Sequence, residues 1–114
     1  MGKRNRQKGL RAPSSVYTDA DGNELELRGS FGILARSKYN ATLHGGQHRD
    51  DAWQRATELL FEQLAIAWTI HGIRTEKPGE LLMRYRVASS PERQFLRESL
   101  RAHLAEHFPD VEAP

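Results

Sequence analysis

The sequence predicts a mainly α protein: a small single-domain helical bundle of three to four helices, with an N-terminal β-hairpin and a disordered basic N-terminal arm. Three observations lead to this prediction. The chain has 114 residues, enough for one domain with a modest core. Apolar residues recur at helical spacing through most of its second half, and two short β-type segments flank a turn-forming cluster near its start. The predicted division is residues 1–15 for the arm and residues 16–114 for the α-rich domain.

The predicted arm is defined by its charge. It holds five basic residues and no acidic one, the basic residues being Lys3, Arg4, Arg6, Lys8 and Arg11. The remaining 99 residues hold twelve lysines and arginines against fifteen acidic residues, so the formal net charge of +2 combines a positive arm with a slightly negative domain. A cationic segment without aromatic residues buries too little apolar surface to fold alone. It is suited to contact a polyanion or to keep the chain soluble.

The hairpin is predicted from two short segments, Val16–Thr18 and Glu24–Arg28, on either side of residues 19–23. In the second segment Leu25 and Leu27 alternate with charged residues, the pattern of a half-buried strand. The intervening Asp-Ala-Asp-Gly-Asn contains residues that tolerate the positive φ of a tight turn. Two strands alone are marginal in water, so the hairpin must pack against an apolar surface.

Residues 30–44 allow two interpretations. Ser30 is a suitable N-cap for a helix that ends before Gly45 and Gly46. The alternative is a third strand at Phe31–Leu34. The pattern favours the helix.

The central element is predicted to be a helix over Ala52–His71, with Asp50 or Asp51 as N-cap and Gly72 after its last residue. On a helical projection its few polar residues gather in one narrow sector, and the rest of the circumference is apolar. Such a helix is buried on most sides. We therefore expect the following side chains to form the centre of the core: Trp53, Leu60, Leu64 and Trp68.

Two further helices follow a connector at Ile73–Lys77. Pro78 is placed to begin a short helix that runs to Ala88. The last helix is predicted to have Ser90 as N-cap and Pro91 as its first residue, and Pro109 stops it. It carries an apolar row at i, i+4 spacing, formed by Leu96, Leu100, Leu104 and Phe108.

One motif resembles a catalytic metal site. The segment from His103 to His107 matches H-x-x-E-H, in which two histidines on one helical face bind zinc and a glutamate acts as base. A third ligand has no place in the seven residues that follow, and both histidines lie beside the leucine row. We therefore interpret His103 and His107 as partly buried packing residues. No nucleophile triad, phosphate-binding glycine loop or dinucleotide fingerprint is present, so we expect no enzymatic activity, no cofactor and no metal.

The last helix also carries a row of arginines, Arg93, Arg97 and Arg101. Like charges four residues apart on a helix repel by a few tenths of a kcal/mol. Contacts with phosphates would offset this repulsion, since the guanidinium matches phosphate geometry. Alternatively, acidic neighbours such as Glu98 neutralise the row and the arginine stems cover the rim of the core.

These features favour a non-enzymatic nucleic-acid-associated accessory or regulatory protein. The five arm residues would contact the phosphates of DNA or RNA without sequence preference, with the arginine row as a second footprint. The alternative is a protein–protein interaction module, either a helical adaptor or a self-associating domain that forms a homodimer, whose arm serves solubility only. The chain has no cysteine, no signal peptide and no run of about 18 apolar residues, so we expect a cytoplasmic location and no membrane partner.

Overall fold

The computed structural model of the chain describes residues 13–46 and 48–114. Residues 1–12 of the predicted arm therefore lie outside the described part of the chain. In the described part the elements follow in this order: β1 (Ser15–Thr18), β2 (Glu24–Leu27), α1 (Ile33–His44), α2 (Arg49–Leu64), β3 (Ala65–Ile70), β4 (Ile73–Thr75), α3 (Pro78–Arg86) and α4 (Ser90–His107).

The fold is mixed α/β, which corrects the prediction of a mainly α bundle. The strands form one antiparallel sheet in the order β1-β2-β3-β4. Leu25 is paired with Trp68 across β2 and β3, and both side chains are buried beneath the helices. Residues two apart on a strand share a face, so Glu24 and Glu26 lie on the opposite, open face of the sheet.

The predicted N-terminal hairpin is confirmed. Its turn is closed by Asp19, whose Oδ1 accepts hydrogen bonds from the backbone N–H groups of Asp21 and Asn23, both at 2.9 Å. Gly22 takes the positive φ of 84° that the turn requires. The side chain of Asn23 then accepts a hydrogen bond from the backbone N–H of His71, at 2.9 Å. This bond ties the first hairpin to the turn between β3 and β4.

The helical interpretation of residues 30–44 is also confirmed, with a later start than predicted. The N-cap of α1 is Gly32 rather than Ser30, and no side chain caps this end. Phe31, just before the helix, is buried against Tyr39 and Phe108, with ring centroids 6.1 and 5.7 Å away. Packing of this aromatic group therefore fixes where the helix begins.

The predicted helix over Ala52–His71 is wrong in its second half and at its cap. The helix α2 begins at Arg49 with His48 as N-cap, so neither Asp50 nor Asp51 caps it. It ends at Leu64, and β3 begins at the next residue. The segment Ala65–Ile70 contains three β-branched residues and a tryptophan, which suit a strand. Pairing with β2 gives the backbone N–H and C=O groups of this segment the hydrogen-bond partners that a helix would otherwise supply.

Helix and strand therefore meet without an intervening loop. The carbonyl of Leu64 accepts a hydrogen bond of 2.8 Å from the backbone N–H of Arg28, just after β2. This contact fastens the junction to the sheet.

The connector predicted at Ile73–Lys77 contains the strand β4. His71 and Gly72 have φ of 51° and 79°, the two positive values of a type I′ turn, which matches the twist of a two-residue hairpin. The turn thereby folds Ile73–Thr75 back along β3.

The last two helices agree with the prediction except that α3 ends at Arg86 rather than Ala88 and one N-cap differs. Helix α3 begins at Pro78, and α4 carries the apolar row, all of it buried. The N-cap of α4 is Ser89 rather than Ser90. Ser89 is preferred because Glu92 lies three residues later, and the two side chains form a reciprocal capping box.

The core prediction holds for three of its four residues. Leu60, Leu64 and Trp68 are buried, whereas Trp53 is partly exposed at the surface between α2 and α4. Phe61 links Trp68, at 5.8 Å between ring centroids, to Tyr85 of α3, at 5.2 Å. Across the described residues no helix has both the length and the apolar character needed to cross a membrane.

Candidate nucleic-acid interface

The predicted site residues fall into two groups. The five arm residues, Lys3, Arg4, Arg6, Lys8 and Arg11, lie outside the described part of the chain. Arg93, Arg97 and Arg101 lie on α4 at successive i+4 positions. The structure brings the first two of these onto aromatic rings of neighbouring helices.

Arg93 is held by α3. Its guanidinium lies over the ring of Tyr85, with Cζ 5.2 Å from the ring centroid, and its Nη2 donates to the backbone carbonyl of Arg86 at 3.0 Å. Its Nε is buried and has no partner among the described residues. Burial raises the pKa of the Tyr85 hydroxyl, and the positive charge of Arg93 opposes this rise. Arg93 therefore joins α3 to α4.

Arg97 lies over Trp53 of α2, with Cζ 5.4 Å from the ring centroid. In residues 13–46 and 48–114 it makes no hydrogen bond or ion pair, and neither does the exposed Arg101 one turn later. Such a cation–π contact attracts the guanidinium through its charge and uses none of its N–H groups as hydrogen-bond donors. These two arginines therefore have hydrogen-bond donors available to an external acceptor.

Trp53 and Arg49 extend this surface. They line a shallow cavity of about 330 Å³ with His44. Sequence reasoning assigned Trp53 to the core and overlooked Arg49. The signal was present, since residues four apart on a helix share a face. We call the group Arg49, Trp53, Arg97 and Arg101 the Trp53 surface.

Other arginines near α4 are neutralised by carboxylates. Arg84 donates to Glu92 at 2.8 Å, and this bond lowers the pKa of Glu92. Arg86 donates to Glu58 at 3.0 Å. Glu98, which the alternative interpretation gave as a neutralising partner of the arginine row, accepts instead from Gln94 at 3.2 Å. The repulsion within the row is therefore offset first by the aromatic rings under Arg93 and Arg97.

The two histidines of the H-x-x-E-H segment join α4 to the sheet. His103 is completely buried, its Nε2 lies 2.6 Å from the carbonyl oxygen of Arg28, and its Nδ1 lies 2.8 Å from the hydroxyl of Tyr17. A carbonyl only accepts, so Nε2 carries the proton and Nδ1 accepts from Tyr17. His107, partly buried, has its Nε2 3.1 Å from the hydroxyl of Ser15.

This arrangement suits packing rather than chemistry. Both ring nitrogens of His103 already have protein partners, and burial lowers its pKa, which favours the neutral ring. Among the described residues no group of three or more His, Asp or Glu side chains could hold a metal ion.

A second surface feature is apolar. A groove of about 640 Å³ lies between the end of β4 and α3, and its lining includes Thr75, Met83 and Val87. Met83 is 63% exposed and Val87 71% exposed. Sequence reasoning missed this groove because it took β4 for a connector.

Comparison with known proteins adds no assignment. No protein-family model matches the chain, and neither a curated protein nor a solved structure is detectably similar to it.

Proposed function

We propose that this protein is a non-enzymatic nucleic-acid-associated accessory or regulatory protein that contacts the phosphates of DNA or RNA. The basic arm supplies one set of contacts, and Arg97 and Arg101 of the Trp53 surface supply the other. The observation that carries the proposal is the pair Arg97 and Arg101, which have no carboxylate partner within the described residues and lie one turn apart on α4.

The contact between Arg97 and Trp53 supports phosphate contact. Packing against the ring restricts the side chain of Arg97, so less conformational entropy is lost when it binds. Its edge presents parallel N–H donors, the arrangement that binds two phosphate oxygens at once. Such contacts position a protein on nucleic acid without reading sequence.

The three arginines of the row have different expected roles. Arg93 has its guanidinium over Tyr85 and donates to a backbone carbonyl, so we expect its replacement to lower stability more than affinity. We expect replacement of Arg97 or Arg101 to lower affinity. We expect the arm residues Lys3, Arg4, Arg6, Lys8 and Arg11 to contribute the largest electrostatic share.

The test is the salt dependence of binding to a labelled duplex and a labelled single strand. Seven phosphates neutralised on duplex DNA would give a log–log slope of about −6.3, since each contributes about −0.9. Replacing the five arm residues with Ser should remove about 4.5 of this slope. The double variant Arg97→Gln/Arg101→Gln should remove about 1.8.

A matched control is available elsewhere on the surface. The double variant Lys38→Gln/Arg55→Gln removes the same charge from exposed positions of α1 and α2. It should lower affinity slightly through net charge and leave the slope nearly unchanged. Equal losses in both double variants would contradict a specific role for Arg97 and Arg101. Absence of binding at low salt to DNA and to RNA would contradict the whole proposal.

The second candidate function is a protein–protein interaction module, with the arm serving solubility only. The observation that favours it is the exposed apolar groove between β4 and α3. Association through this groove would persist at high salt, whereas phosphate contacts would be lost.

A further inference from the structure

The strand β4 is an edge of the sheet in the described part of the chain. In its two-residue hairpin, Ile70 and Ile73 form the hydrogen-bonded pair that closes the turn. Along an antiparallel strand, residues that bond the partner strand alternate with residues whose backbone groups point away from it. The backbone N–H and C=O of Arg74 therefore point away from β3, and by the same alternation so do those of Glu76. This edge therefore offers backbone groups for a further strand.

The side chains along this edge are divided by face. Ile73 and Thr75 lie on the helical face of the sheet, since they pair with Ile70 and Trp68. Ile73 is 71% exposed, and Thr75, on the same face, lines the groove with Met83 and Val87 of the α3 region. Exposed apolar residues beside an open strand edge are typical of an interaction surface.

On the open face, the edge carries two opposite charges. Arg74 contacts Glu76 through Nε at 2.6 Å and Glu26 through Nη2 at 3.5 Å. In an antiparallel pair of identical strands centred on Thr75, residue 74 of each copy lies opposite residue 76 of the other. This register pairs the outward-facing backbone groups and sets Arg74 against Glu76 twice. A register centred on Arg74 would set the two arginines against each other.

We infer that a second copy of this chain pairs with the β4 edge, antiparallel and centred on Thr75, to form a homodimer with a continuous eight-stranded sheet. The symmetry is self-consistent, since a two-fold axis perpendicular to the sheet keeps both helical layers on the same side. The grooves of the two copies then face each other across the axis, and Ile73, Met83 and Val87 of both copies are covered together. Around the axis the charges of residues 74 and 76 alternate in sign.

The strand at the other edge lacks these properties. The residues of β1, from Ser15 to Thr18, carry no charge and thus set no register. The β4 strand has three residues, so the interface falls at the small end of specific interfaces, and dimerisation should depend strongly on concentration.

The test is analytical ultracentrifugation of the full chain without nucleic acid, from about 10 μM to about 1 mM, the range in which a weak interface is half-occupied. The wild type should shift from monomer to dimer across this range. Arg74→Glu and Glu76→Arg, each alone, place like charges opposite each other in both contacts. Each should raise the dissociation constant at least about tenfold, a change of about 1.4 kcal/mol.

Two rescue experiments keep the inference falsifiable. An equimolar mixture of the Arg74→Glu and Glu76→Arg proteins should form heterodimers, because each position again faces the opposite charge. The double variant Arg74→Glu/Glu76→Arg should regain homodimerisation for the same reason. Circular dichroism should show native helix content in every variant, since both side chains are exposed.

A wild type that stays monomeric at the highest concentration would overturn the inference, as would single variants that dimerise like the wild type. Loss of dimerisation in the single variants without its recovery in the mixture would exclude the register centred on Thr75. The inference extends the second candidate function and is independent of nucleic-acid binding. A monomeric wild type would therefore overturn the homodimer alone. It would not change the result of the nucleic-acid affinity measurements or bear on whether the groove binds a different protein.

Discussion

Removing the hydroxyl of Tyr17 should destabilise the fold through its effect on His103. The variant Tyr17→Phe keeps the ring, whose centroid lies 5.6 Å from that of His103 in an edge-on contact, so it tests the hydrogen bond alone. It leaves the Nδ1 of a completely buried imidazole without its donor at 2.8 Å. Leaving one buried polar group unsatisfied costs about 1–3 kcal/mol.

The interaction can be isolated by a double-mutant cycle with His103→Leu. That single variant leaves both the Tyr17 hydroxyl and the Arg28 carbonyl without their partner. In the double variant the hydroxyl is gone too, so the loss should be smaller than the sum of the single losses. The coupling energy expected for a directly bonded pair is about 0.5–3 kcal/mol.

The assay is urea unfolding at a pH of about 8, where an ordinary histidine is neutral. Tryptophan fluorescence reports it, because Trp68 is 1% exposed in the folded chain. Tyr85→Phe combined with His103→Leu is the control, since Tyr85 contacts Phe61 and Arg93 instead. If the losses from Tyr17→Phe and His103→Leu simply add, the hydrogen bond between β1 and α4 does not contribute and this reasoning fails.

Three further outcomes are expected. Burial lowers the pKa of His103 from 6.5, so its contribution to the free energy of unfolding should be fully present above about that pH. Below it the free energy of unfolding should fall with decreasing pH, by at most about 1.4 kcal/mol per pH unit. A series of urea denaturations at different pH should show this fall, and His103→Gln should flatten it. Leu64→Ala should lower the free energy of unfolding by about 2–5 kcal/mol in the same assay, whereas the exposed Leu34→Ala should change it little; similar losses in both would contradict the core assignment. Ser89→Ala should cost about 0.5–2 kcal/mol in a thermal melt and Ser90→Ala much less, and the reverse order would contradict the observed cap of α4.

The sequence was sufficient to predict elements whose signals are local. The first hairpin, the start of α3 at Pro78 and the buried leucine row of α4 depend on turn chemistry, proline placement and i, i+4 spacing. The segment Ala52–His71 failed because its apolar residues satisfy both helical and strand periodicity. Two available signals were the β-branched residues after Leu64 and the His-Gly pair before Ile73. They were outweighed by the continuous apolar character of the segment.

The candidate site was less predictable because its contacts join distant parts of the chain. The row Arg93, Arg97 and Arg101 was evident from spacing, but the rings beneath its first two members come from other helices. The bond between Tyr17 and His103 spans 86 positions, and no local pattern encodes it. Predicting such partners requires the packing of α4 on the sheet, which follows from burial of the whole core.

The junction between α2 and β3 limits how the chain length can vary. A helix turns about 100° per residue and a strand alternates by 180°, and at Leu64–Ala65 one periodicity passes directly into the other. The bond from Arg28 to the Leu64 carbonyl holds the last residue of α2 against the sheet. With Leu64 held in this way, an insertion after it would shift β3 by one residue along β2 and move Trp68 to the open face of the sheet. Insertions and deletions should therefore be tolerated better between α1 and α2, while this junction keeps a fixed length.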